Sequence, residues 1–387
     1  MTQLAETATS SDAKRIPGLD GIRALAVLAV FCLHTQLPFL SGGPLGVSAF
    51  FVLSGFLITS GLRREAEQTG RINVRRFYRR RVGRLGPALA VLLAASVLLA
   101  TLNTAWHFSD KTAHLGLLFG SLAVTAAHLM NFALASSTQA YEVVPTWSLN
   151  VEEQFYIVWV LIFVAGVAAR AHRYLGLLAG IGAVASVSWG WWLSSHGADH
   201  ARVAYFTDTQ VGAALAGAAI AFAVANPNVR SFVARGAGVV GPAAALALVT
   251  LLVTDPGADV YQWRTAALIL ATGALIAAFT CGRRGVTATL FSVAPLAWLG
   301  TRSYAFYLFQ VMVLQAFGGP GSLTRSLVVF AVTAVAAELS WRFVEQRGLA
   351  WAHREPKPVE INATKSADHP VSIREKDLVT ASDLGRS

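Results

Sequence analysis

Long apolar stretches, separated by short polar connections that carry arginine, set the pattern of this chain. Eleven of them are candidate helices: residues 19–40, 44–62, 85–104, 114–135, 151–169, 174–193, 208–225, 237–254, 264–281, 296–317 and 323–344. Each is close to the roughly 20 residues that an α-helix needs to cross a bilayer. The expected fold class is all-α, a polytopic transmembrane helix bundle. Arginine placement sets the number of crossings, because cytoplasmic loops carry the excess of Lys and Arg. The segment from Arg63 to Arg84, with Arg71, Arg75, Arg76, Arg79, Arg80 and Arg81, belongs in the cytoplasm, and Lys14 and Arg15 put the N-terminus there too. Eleven crossings would leave Arg170, Arg173, Arg230, Arg235, Arg283, Arg284 and the C-terminal tail outside. If 114–135 does not cross, all of these return inside, and the acidic loop around Asp255 and Asp259 falls outside. That segment also carries His114, His128 and Asn131, a poor set for a lipid-facing helix. About ten spans are therefore expected, in the cell membrane, with both termini cytoplasmic and 114–135 re-entrant or buried in the bundle.

The polar stretch 1–15 reads as an N-terminal tail, 16–348 as a single membrane domain, and 349–387 as a disordered cytoplasmic tail without period. The first apolar stretch is too long for a cleaved leader and lacks a small-residue cleavage pattern, so it is expected to stay as an anchor. No internal repeat stands out.

Composition agrees with a membrane chain. Of 387 residues only 13% are charged, and the mean hydropathy is +0.53; soluble proteins carry about 25%. The net charge of +10 lies between the spans, which makes it a topology signal and not a nucleic-acid footprint. Such clusters favour anionic membrane lipids and suit a phosphorylated co-substrate. The two cysteines, Cys32 and Cys281, both sit in apolar segments. They make neither a disulfide framework nor a thiolate metal set, and no metal is expected.

Candidate chemistry starts with Arg23 and His34, eleven residues apart in the first apolar stretch. At about 100° per residue they share one helical stripe, roughly 16 Å apart along the axis. Ionisable groups at membrane depth are costly and mark sites, and an imidazole there can move a proton. The bland alternative is that Arg23 snorkels to the interface and His34 hydrogen-bonds a backbone carbonyl. In the next stretch, GVSAFFVLSGFLITSGL, small residues allow close helix approach, and Ser48 adds a hydroxyl toward His34 across a short turn. In RRFYRRRVGRLGPAL, Arg81 and Arg84 are three apart on one face, a planar-fork pair suited to phosphate. In PTWSLNVEEQFYIVW, Glu153 gains from the helix dipole, whereas Glu152 shares an aromatic face and is placed to orient His34 or balance Arg23. Trp147 and Ser148 precede it. Ser303, Tyr304 and Tyr307 put hydroxyls on one side of a later span, and Glu345 closes the last one.

Taken in order, GLDGIRALAVLAVFCLH, GVSAFFVLSGFLIT, RRFYRRRVGRLGPAL, WSLNVEEQFY, LGTRSYAFYLFQ and WRFVEQ resemble the acyltransferase 3 family of integral membrane O-acyltransferases, over about residues 15–348. The resemblance implies acyl transfer from acyl-CoA to a hydroxyl. Arg23 and His34 match the family's Arg and His of the first span. Arg81 and Arg84 match its RxxR motif, and Trp147, Ser148, Leu149 and Glu152 its WSLxxE motif. Ser48 stands where the family often has Asp, Gln210 where it often has Arg, Gln310 where it has His, and Arg347 where it has Pro. These departures, the tail and the expected lack of an esterase-like domain make the chain most similar to macrolide 3-O-acyltransferases of antibiotic biosynthesis.

The function expected is thus transfer of acetyl or propionyl from acyl-CoA, as co-substrate with no bound cofactor, to the 3-hydroxyl of a macrolide. His34 would act as base, or as carrier of the acyl group if the acceptor stays outside. Arg23 would stabilise the oxyanion or place the thioester, with Glu152 as third member. Arg81 and Arg84 would hold coenzyme A phosphates, and Ser48, Trp147, Ser148 and Tyr304 would support the substrates. Two alternatives stand beside it: O-acetylation of a cell-envelope glycan or glycolipid, and, in another class, a proton-coupled transporter or antibiotic exporter.

Overall fold

Every regular element among the described residues is helical, as a chain that must satisfy its own backbone inside a bilayer requires. The structure is a computed structural model that describes residues 16, 18–106, 115–136, 145–255, 257, 263–282 and 285–354. The helices are α1 (Leu19–Thr35), α2 (Gly43–Thr69), α3 (Val74–Trp106), α4 (Leu115–Ala126), α5 (Met130–Ala135), α6 (Thr146–Ala168), α7 (Leu175–Ser195), α8 (His200–Tyr205), α9 (Thr207–Ala223), α10 (Pro227–Val253), α11 (Trp263–Cys281), α12 (Val286–Leu290), α13 (Ala294–Ala316), α14 (Leu323–Ser340) and α15 (Gln346–His353). A 3-10 turn, His172–Tyr174, leads into α7, and a π turn, Trp341–Glu345, joins α14 to α15. Residues up to Ala352 pack as one unit; of the unit that begins at His353, only His353 and Arg354 are described. α15 runs past residue 349 to His353, and 355–387 of the expected tail lie outside the described residues.

Seven helices are long and apolar enough to cross a membrane: α2, α3 as far as Leu99, α6, α7 with its 3-10 turn, α10, α11, and α14 with its continuation. The expected ten are not reached on this measure, and the reason is physical. α1 and α9 have 17 residues each, at the lower edge of what spans a bilayer. α13 has 23 residues, but Arg302, Ser303, Tyr304, Tyr307 and Gln310 dilute its apolar character. Most of α1 is buried by protein, so its surface meets neighbouring helices and not lipid. The outward faces of α7, α10 and α11 carry the lipid-like surface, with Leu177, Val184, Val239, Leu246 and Leu270 exposed.

The segment expected to be re-entrant breaks into two short helices. α4 has 12 residues, about 18 Å long, and a turn at His128 (φ 57°) leads into α5. Polar side chains at the start of α6 tie this turn down. The Met130 N–H donates to Asn150 Oδ1 at 2.8 Å, and Gln154 Nε2 donates to the His128 carbonyl at 2.7 Å and to Asn131 Oδ1 at 3.0 Å. Asn131 Nδ2 donates to Thr207 Oγ1 at 3.0 Å. His114 lies outside the described residues.

Packing relies on small residues at helix crossings. α9 lies between α2 and α7, α1 along α13 and α2, and α10 beside α11. At the crossing of α2 and α9, a Cβ on Gly55 would overlap the Ala214 carbonyl oxygen, and one on Gly217 the Val52 carbonyl oxygen. These backbones touch, which is how helices gain dispersion energy where no hydrophobic effect drives them together. Gly55→Leu is accordingly expected to destabilise the bundle by at least about 3 kcal/mol, because backbone and not a yielding side chain opposes it. Gly238→Ala, in a position with no atom within 4 Å, serves as the tolerated control. Thermal unfolding in detergent measures both; an unchanged melting temperature for Gly55→Leu would refute the close crossing.

Candidate active site

A cavity of about 510 Å3 opens among α1, α2, α3, α6 and α13. Six arginines line it, Arg23, Arg64, Arg76, Arg80, Arg81 and Arg84, against two glutamates, Glu65 and Glu152. Its mouth lies where α2 ends and α3 begins, in the basic connection. Its far part is apolar and aromatic, with Val47, Phe50, Phe51, Leu53 and Leu308.

The fold brings six of the expected site residues to this cavity: Arg23, Arg81, Arg84, Ser148, Glu152 and Tyr304. His34, Ser48 and Trp147 are not in its lining. His34 sits near the end of α1, eleven residues beyond Arg23, which is about 16 Å along the axis. Its Nδ1 is buried and has no hydrogen-bond partner among the described residues. Ser48 is buried in α2, and among the described residues no hydrogen bond joins it to His34. Trp147 packs edge-on against Phe51 and Tyr205, at 6.3 and 5.1 Å between ring centroids. Glu152 interacts with Arg81, Ser54 and Tyr156.

Each guanidinium has a different environment. Arg23 Nη1 pairs with Asp20 Oδ1 at 2.8 Å, one turn earlier on α1. Arg81 is held twice: its Nε donates to Glu153 Oε1 at 3.2 Å, and its Cζ stacks 3.3 Å from the centroid of the Tyr156 ring. Tyr156 is fixed in turn by a hydrogen bond with Ser54. Arg84 makes no ion pair or hydrogen bond among the described residues. It is surrounded by protein yet open to the cavity, with Arg23 and Arg81 as like-charged neighbours and Glu345 as the opposite charge. Like charges held close in a low-dielectric surrounding repel strongly, and an anion among them relieves that repulsion. Planar forks make such a cluster suited to phosphate oxygens.

Hydroxyls complete the far wall. Ser148 Oγ and the Tyr307 hydroxyl are 2.7 Å apart, and the Tyr304 hydroxyl donates to the Leu85 carbonyl at 2.8 Å. Sequence reasoning gave Glu153 only a helix-dipole role, and it placed Tyr156 with Phe155 on the aromatic face of Glu152 without the stacking on Arg81. The signal for Tyr156 was its position four residues after Glu152, on the same face.

The family model for an acyltransferase domain, acyltransferase 3, matches residues 16–342. The chain belongs to the acyltransferase 3 family. "Peptidoglycan O-acetyltransferase OatA" of Listeria monocytogenes serovar 1/2a (strain ATCC BAA-679 / EGD-e) is 30% identical over 353 residues, covering 86% of this chain and 55% of that protein. "Putative peptidoglycan O-acetyltransferase YrhL" of Bacillus subtilis (strain 168) is 32% identical over 391 residues, covering 96% of this chain and 59% of that protein. The chain thus spans a little over half the length of these curated relatives. They are named for peptidoglycan, so the expected special likeness to macrolide 3-O-acyltransferases is not supported by them. No solved structure matches the chain. The family and its apolar helices make this a multi-pass membrane protein.

The two arginines of the RxxR motif are expected to differ in stability. Arg81→Ala removes an ion pair and a stacking contact from a mostly buried group and leaves Glu153 without its partner, so it is expected to cost about 2–4 kcal/mol. Arg84→Ala removes no ion pair and relieves repulsion, so its melting temperature should equal or exceed that of the parent. Thermal melts in one detergent check both, and a larger loss for Arg84→Ala than for Arg81→Ala would contradict the geometry.

Proposed function

We propose that this acyltransferase 3 chain moves a short acyl group, acetyl first, from acyl-CoA to a hydroxyl of a cell-envelope glycan. The observation that carries the reading is the convergence of Arg23, Arg81 and Arg84 in one cavity open to the basic end of the bundle. About ten helices would span the membrane, with α1, α9 and α13 as inner members and both termini on the cytoplasmic side. The arginine mouth would then face the cytoplasm, where acyl-CoA is found. The peptidoglycan named for the two relatives favours an acceptor on the far side over a macrolide.

In this reading Arg84 and Arg81 bind the donor's phosphates, and Glu153 and Tyr156 keep Arg81 aimed. Arg23 places the thioester arm, since it lies with the donor anchors and too far from His34 to act on the same oxygen. The neutral His34 imidazole attacks the thioester carbonyl carbon. The C–S bond breaks, coenzyme A leaves as the thiol, and the imidazole proton balances it. The glycan hydroxyl then attacks the acyl-imidazole carbon, the ester forms, and its proton returns to His34. Such a relay suits a donor and an acceptor on opposite sides of the bundle, which fits the separation of His34 from the cavity.

Membranes supplied with radiolabelled acetyl-CoA and peptidoglycan glycan fragments test this. The parent is expected to give alkali-labile label on the glycan. His34→Ala, at matched expression, should lose it by at least about 10²-fold. Arg84→Ala should raise KM for acetyl-CoA about tenfold with little change in kcat. Label that persists in His34→Ala would overturn the relay, and label on an added macrolide but not on glycan would overturn the acceptor.

A further inference from the structure

Gln310 of α13 is buried, with 1% of its surface exposed, and neither its Nε2 nor its Oε1 has a hydrogen-bond partner among the described residues. An amide with both ends unsatisfied inside a protein is costly.

Its place in the bundle gives it a use. Ser303 and Tyr307 line the arginine cavity, and Gln310 follows them on the same stripe, at spacings of four and seven residues from Ser303. α13 packs along α1. The two helices meet at Gly300, where a Cβ would overlap the Asp20 carbonyl oxygen, and again where Phe31 meets Phe306 at 5.7 Å. Both therefore run the same way from the arginine end. Counting at about 1.5 Å per residue from the nearer Phe31–Phe306 contact, Tyr307 lies about 1.5 Å and Gln310 about 6 Å along α13, and His34 about 4.5 Å along α1. Gln310 thus stands beyond the cavity's last hydroxyl, at about the depth of the histidine, whose Nδ1 is also buried without a hydrogen-bond partner among the described residues.

We propose that Gln310 is a binding residue for the acyl group on its way from the arginine cavity to His34. Its N–H donates to the acyl carbonyl oxygen, and its carbonyl oxygen accepts from the neighbouring amide of the donor arm or from the acceptor hydroxyl. The ligand class is a short acyl carbonyl with an adjacent donor, uncharged, which is what an amide in an apolar surrounding binds. This inference rests on the acyl-transfer reading above.

Gln310→Met keeps the length of the side chain and removes both polar atoms. If the amide is kept for a ligand and satisfies nothing in the resting protein, this variant is expected to raise the melting temperature by about 2 °C or more. It should also lower acetyl transfer to glycan at least tenfold, with KM for acetyl-CoA within about twofold, because the phosphate anchors are untouched. A structural amide predicts the opposite stability change. A melting temperature that falls overturns the inference, and so does transfer equal to the parent's. Failure of the parent reading is separable: the parent itself would then show no acetyl-CoA-dependent label, whereas the melting comparison needs no donor and alone overturns the inference if Gln310→Met is not the more stable protein.

Discussion

Holding Arg23, Arg81 and Arg84 close together inside a helix bundle is the constraint on which the rest of this site depends. Guanidinium groups cannot shed their charge, so the protein must surround them with compensation. It does so unevenly. Asp20 takes Arg23, and Glu153 with the Tyr156 face takes Arg81. Arg84 is left with only through-space compensation from Glu345 among the nearby carboxylates. A structural cluster would be expected to pair every member, because an unpaired buried charge destabilises. Leaving one charge open toward a cavity is the arrangement of a site that waits for an anion.

The second consequence is division of labour along the bundle. The arginines gather at one end, with hydroxyls and aromatic rings beyond them, and His34 lies further still. Two of the helices that carry these residues, α1 and α13, are not among those long and apolar enough to span by composition. α1 is short and mostly buried, and α13 is interrupted by polar side chains. Chemistry and burial are linked here, since a polar stripe in a membrane survives only where other helices cover it.

Much of this was legible in the sequence. Helix length and apolarity gave an all-α bundle, and the stripe logic kept Arg23 and His34 on one helix. The six ordered motifs pointed to the acyltransferase 3 family, which the match over 16–342 shows. The polar residues His128 and Asn131 marked the stretch that breaks into α4 and α5. Other features depend on contacts between helices distant in sequence. That Arg81 of α3 pairs with Glu153 of α6, 72 residues away, depends on the reach of the arginine side chain between the two helices. Length and apolarity recognise only seven of the expected spans for the same reason: packing with other helices covers much of α1 and α9. The acceptor was overdrawn from a few departures such as Ser48 and Gln310, which change single contacts and carry no signature of what is acylated.

The most direct measurement is equilibrium binding of labelled acetyl-CoA to the purified full chain in lipid nanodiscs, with competition by coenzyme A and by pantetheine, which lacks the nucleotide and its phosphates. If the arginine cavity holds the donor by its phosphates, coenzyme A should compete at least about 100-fold better than pantetheine, and its advantage should shrink as salt is raised. Equal competition by the two, unaffected by salt, would contradict the account, because the cluster around Arg84 would then have no anion to bind.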